Sequence, residues 1–135
     1  MLGDHSLYKA EDVDILHDFI DSVFQKNSKI LLDGYYYCPH HPKAVIDELR
    51  TECSCRKPAP GLIIKAIEDF RKSGIEIDRD NSFVIGNRIS DVVAGINAKI
   101  KNNILVGSDE TDDSGIASAI YGSLYEAAIN IKQVF

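Results

Sequence analysis

No apolar run in this chain is long enough to span a bilayer, and no signal peptide opens it. A cytoplasmic protein is therefore expected, without a membrane partner. Positive charge is scarce: 15 Lys and Arg stand against 21 Asp and Glu, for a net charge of −6. Such a balance argues against nucleic acid or an anionic lipid surface as partner. There is no internal repeat and no low-complexity segment, which excludes a solenoid and gives no internal domain boundary. Cysteine is limited to three residues, an odd number. In a reducing compartment, thiols beside a histidine read more readily as metal ligands than as disulfides. What is present is ordinary: 135 residues, 44% apolar and 27% charged, enough for one domain with a real core.

Periodicity orders the chain. Val13, Leu16, Phe19, Ile20, Val23 and Phe24 recur at helical spacing, which predicts an amphipathic helix from Glu11 to about Gln25. Its polar face should carry His17. The β-formers of KILLDGYYY predict a strand at Gly34–Tyr37. A short helical turn is expected at Ala44–Arg50. A helix over Gly61–Lys72 follows two prolines and is closed by Gly74. Ser82–Gly86 and Asn103–Val106 read as buried parallel strands. Asp91–Ala98 reads as a helix with Ser90 as N-cap. Ser118–Tyr121 is a third strand candidate, and Leu124–Val134 a closing helix. Strand and helix alternate, so an α/β fold with a mostly parallel sheet is expected. Sites in such sheets collect beyond the carboxyl ends of the strands.

The chemistry concentrates between Cys38 and Pro60. Cys38 and His40 form one close pair and Cys53 and Cys55 another, with twelve residues between His40 and Cys53. Three thiolates and one imidazole can close a tetrahedron around zinc, with every position filled by protein, as in a structural site. The alternative is reduced cysteines packed as small apolar groups. His41 and His5 read as solvated. Arg56 and Lys57 then form a basic pair at a chain reversal, suited to a phosphate or simply to solvent.

Three stretches, DGYYYCPHHP, CSCRKPAPG and VIGNRISDVVAGINA, resemble the later part of the D-glycero-D-manno-heptose-1,7-bisphosphate phosphatases. These are haloacid dehalogenase enzymes close to the histidinol-phosphate phosphatases. The likeness runs from about Ala10 to the end. It implies a partial Rossmann-like sheet with helices on both faces, a zinc loop at 38–58, and the first strands missing, all in one truncated domain over 1–135. It implies magnesium-dependent phosphomonoester hydrolysis, with an aspartate nucleophile and a second aspartate two residues on. It gives Cys38, His40, Cys53 and Cys55 the role of zinc ligands. Lys57 takes that of the phosphate-stabilising lysine, with Arg56 and Arg88 as further substrate contacts. Asn87 falls where a magnesium-ligating aspartate stands, and Asp91 matches the second acid, so this pair reads as a vestigial magnesium site.

The sequence departs from that pattern in two places. The Asp-x-Asp-Gly-Thr motif after an opening strand is absent. Asp12 and Asp14 have the spacing but fall in the first predicted helix, and Asp33 has Leu31 two positions earlier. Asn87 brings a neutral oxygen where hard cations favour a carboxylate. Two functions are therefore expected to compete. One is a sugar-phosphate phosphatase whose catalytic aspartates come from outside these residues. The other is a zinc-stabilised phosphate-binding remnant, or half of a split or oligomeric assembly. An exposed strand edge left by the missing strands would favour a dimer or another completing segment.

Overall fold

A computed structural model describes residues 10–38 and 56–134, with side chains through Lys132. The expected turn at 44–50 lies outside the described residues. The chain divides into two compact units, one up to Arg56 and one from Lys57 onward.

In the first unit, α1 (Ala10–Ser28) carries Glu11 and Asp12 in its first turn and Lys26 in its last. Both placements suit the helix dipole. Its inward stripe runs along Val13, Leu16, His17, Ile20 and Asp21, of which only Val13 is buried. Ile15 and Phe19 lie mostly exposed, at 68% and 64%. The strand predicted at Gly34–Tyr37 does not form: residues 34–38 pair with no strand among the described residues. Aromatic, β-branched composition favours a pleated surface only where a neighbour completes the ladder. Side chains hold this segment instead. Tyr35 donates its hydroxyl to Asp21 Oδ1 at 2.7 Å. The His17 ring stacks on Tyr35 with centroids 4.1 Å apart, and meets Tyr37 edge-on at 5.8 Å. His17 is thus half-buried between aromatics, not on a solvated face as the helical pattern suggested.

The second unit is a three-stranded parallel sheet in the order β1 (Phe83–Gly86), β2 (Asn102–Val106), β3 (Ala119–Tyr121). Val84 pairs with Asn103 and Gly86 with Leu105, while Ile104 pairs with Ala119. β2 is central, so Asn103, Ile104 and Leu105 are all buried. Helices α2 (Gly61–Lys72), α3 (Ile89–Asn97) and α4 (Leu124–Val134) complete the unit. Alternate side chains point to opposite faces of a strand. The face bearing Val84 and Asn103 receives α3, whose Gly95 lies against both side chains. A Cβ at Gly95 would fall 1.8 Å from Asn103 Oδ1, so only glycine permits this approach. The opposite face receives α4, whose Asn130 and Ile131 line a shallow cavity of about 170 Å³ with Phe83, Ile104 and Ala119. The α/β fold with helices on both faces of a parallel sheet is therefore present. Ile67 of α2, Ala98 and Ile100 form a buried cluster, with Ile63, Ile64, Ile77 and Val84 packed against it.

The entry to β1 is tied by polar groups. Asp78 accepts from the Asn81 side chain at 2.7 Å and from the Asp80 and Asn81 amides. The Asn81 side-chain amide, then its backbone amide, hold the Asp78 carboxyl below the usual carboxylate range. Arg79 donates to the Ala98 carbonyl at 3.0 Å, closing the C-terminal end of α3.

Candidate phosphate site at the end of β1

The carboxyl end of β1 is where the second unit gathers charge. Gly86 ends the strand, Asn87 and Arg88 are exposed, and α3 begins at Ile89. The N-cap is Arg88, not the predicted Ser90, with extended backbone at φ −130° and ψ 151°. Asp91 explains the shift. It occupies the third helical position, and its Oδ2 accepts from the Arg88 amide at 3.1 Å while its own amide donates to the Arg88 carbonyl at 3.0 Å. This is the reciprocal half of a capping box, and it satisfies donors that a helix start leaves free.

The other oxygen of Asp91 faces Lys57. Lys57 Nζ donates to Asp91 Oδ1 at 2.5 Å, with the lysine side chain 46% exposed and the aspartate 11%. A nearly buried carboxylate thus holds a lysine that still reaches solvent. Two other contacts fix the geometry. Asn97 Nδ2 donates to the Pro58 carbonyl at 3.3 Å, tying the residue after Lys57 to the same helix. Gly86 makes room: a Cβ there would fall 2.3 Å from Asp91 Oδ2. Glycine at the strand end is what lets the carboxylate lie across it.

Of the residues singled out from the sequence, Lys57 and Asp91 are brought together, with Asn87 and Arg88 on the same turn. Arg56 is half-buried and belongs to the first unit. Cys38 is half-buried there too. His40, Cys53 and Cys55 lie outside the described residues. Gly86, Asn97 and Glu110 were not singled out. The clash at Gly86 and the reach of Asn97 and Glu110 across 39 and 21 residues depend on the fold and leave no mark in local sequence.

The described residues do not fit a magnesium ion. No group of three or more His, Cys, Asp and Glu side chains gathers among them to hold a metal. Asn87 is neutral, and both oxygens of Asp91 are engaged, one by an ammonium group. A dication at Asp91 would meet that positive charge at close range. An anion beside Lys57 would meet the reverse.

A family model described as HAD-hydrolase-like matches residues 54–127. Among curated proteins, the D-glycero-beta-D-manno-heptose-1,7-bisphosphate 7-phosphatase of Pasteurella multocida is 44% identical over 84 residues, covering 61% of this chain and 42% of that protein. The phosphatases of the same name from Haemophilus influenzae and Photorhabdus laumondii are 35% and 37% identical over 106 residues, each covering 76% of this chain and 54% of the relative. The chain spans about half the length of the curated relatives it matches.

Proposed function

Since the chain belongs to the HAD-hydrolase-like family, we propose that it is the phosphate-binding part of a sugar-phosphate phosphatase, a single partial domain whose ligand is a phosphomonoester of the heptose-bisphosphate type. The observation that carries this reading is the Lys57–Asp91 pair at the carboxyl end of β1. Phosphoryl transfer is accelerated chiefly by positive charge placed against the phosphoryl oxygens. Lys57 supplies that charge, Asp91 orients it, and Arg88 adds a contact to the sugar phosphate.

A specific observation favours binding without turnover by these residues alone. Asp12 and Asp14 both lie within α1, so neither ends a strand where a nucleophile would meet the phosphate. The catalytic aspartates then come from a further segment or a second chain. Phosphatases of this family typically use magnesium. On this reading its ligands come with those aspartates. Cys38, His40, Cys53 and Cys55 are assigned to one structural zinc, a donor set of three thiolates and one imidazole that leaves no open position. Metal analysis should give one zinc per chain, and a metal-free protein with an unchanged melt would end that assignment.

The function is tested by assaying the purified chain with magnesium on heptose bisphosphate and on histidinol phosphate. The expected result is saturable binding without release of phosphate. Turnover above blank that disappears in Lys57→Ala would replace the binding-only reading with that of a complete enzyme.

A further inference from the structure

We propose that Glu110 is a positioning residue for the phosphate-binding pair: it latches the loop after β2 onto the first turn of α3, and so fixes Asp91 and, through it, Lys57. The inference rests on the phosphate reading of that pair. The first amides of a helix have no partner within it. In α3 the first of them, Ile89 N–H, donates to Glu110 Oε2 at 2.5 Å, across 21 residues of sequence. The capping amide of Arg88 is taken by Asp91. Two carboxylates from different parts of the chain thus share the start of one helix, which the helix dipole favours.

The loop that carries Glu110 is built to present it. Gly107 leaves β2 with φ +52° and donates its amide to the Tyr121 carbonyl at 3.0 Å. The Glu110 amide donates to Ser108 Oγ at 3.0 Å. Asp112 then turns the chain back, accepting from the Ile116 and Ala117 amides at 3.0 Å each. The Glu110 side chain ties this loop to the first turn of α3. It therefore joins the loops at the ends of β1 and β2, the two walls where a ligand of a parallel sheet binds.

The latch matters because Asp91 has little freedom. Its carboxylate lies across Gly86 in a space that a single methyl group would fill. A small rotation of the first turn of α3 changes the direction in which Asp91 holds Lys57. Asn97 ties the Lys57 loop to the far end of the same helix, so α3 is the common frame and Glu110 clamps its free end.

The test uses the full chain, inorganic phosphate as probe, and the variants Glu110→Ala and Glu110→Gln. Glutamine keeps an acceptor for the Ile89 amide without the charge. Phosphate affinity is read by titration, and hydrogen exchange and the chemical shift of the Ile89 amide by NMR. Glu110→Ala should weaken phosphate binding roughly three- to tenfold and speed exchange at Ile89, and Glu110→Gln should restore most of both. Unchanged affinity and exchange in Glu110→Ala would overturn the proposal, as would a glutamine variant no better than alanine. If the unmodified chain binds no phosphate, the phosphate reading fails. The latch is then judged at Ile89 alone: faster exchange in alanine, rescued by glutamine, upholds the clamp on α3, and no difference overturns it.

Discussion

The two units use similar apolar patterns with different results. In the unit from Lys57 onward, the apolar stripes of α2 and α3 and the strand runs meet one another. Val92, Ala94, Ala98 and Leu105 are at most 1% exposed. In the unit up to Arg56, α1 repeats apolar residues as regularly, yet Ile15, Phe19, Val23 and Phe24 remain at least 39% exposed. Its described tertiary ties are polar and aromatic: Tyr35 on Asp21, and His17 between Tyr35 and Tyr37. Periodicity states which face a helix can bury. Stability comes only when a second surface covers it.

That contrast can be broken most forcefully at Leu105. Truncation to alanine in the centre of the sheet should cost about 3 kcal/mol or more, read as a drop in the melting transition. Phe19→Ala, a residue of larger side chain, should by contrast change stability by less than about 0.5 kcal/mol. If the Phe19 variant melts as early as the Leu105 variant, α1 is covered and the contrast fails.

Gly95→Ala comes next. The added methyl meets Asn103 Oδ1, a buried oxygen with no hydrogen-bond partner among the described residues. A loss of about 1–3 kcal/mol is expected by denaturant titration. Gly86→Ala should act more locally. It pushes Asp91 aside, so phosphate affinity should fall more than the melting temperature does.

The smallest effect is at Tyr35. Removal from water, then the bond to Asp21 and the charges of Asp21 and Asp18, push its phenol up to about 12 from 10.0. The neutral phenol is thus favoured in the folded chain. Its contribution is complete below pH 10 and is lost as pH rises through about 12. NMR titration of the ring carbon bearing the hydroxyl should place the Tyr35 midpoint well above 10.0, and Asp21→Asn should lower it. A Tyr35 midpoint near 10 in both proteins would remove Asp21 as its anchor.

How much of this was legible follows from what each feature depends on. The span of α2 and α4 and the core of each strand were readable, because short apolar runs bounded by polar residues become buried parallel strands. The N-cap of α3 falls at Arg88, two residues before the Ser90 that the sequence pattern predicts. Arg88 is not a favoured cap type, and the cap is made by Asp91 reaching back rather than by a side chain at the cap itself. The strand at Gly34–Tyr37 failed because β-propensity names a suitable surface but not a partner. Lys57 and Asp91 were both picked out from the sequence, but their contact spans 34 residues and exists only in the fold. Gly86 and Glu110 act through that fold alone.

The most direct measurement is the affinity of the full chain for a sugar phosphate, by calorimetry, with Lys57→Ala beside it. Asp91 keeps the Arg88 amide in that variant, so the fold should lose less than about 1 kcal/mol. The account predicts saturable binding by the unmodified chain and a loss of tenfold or more on Lys57→Ala. Equal affinity in both proteins would contradict it.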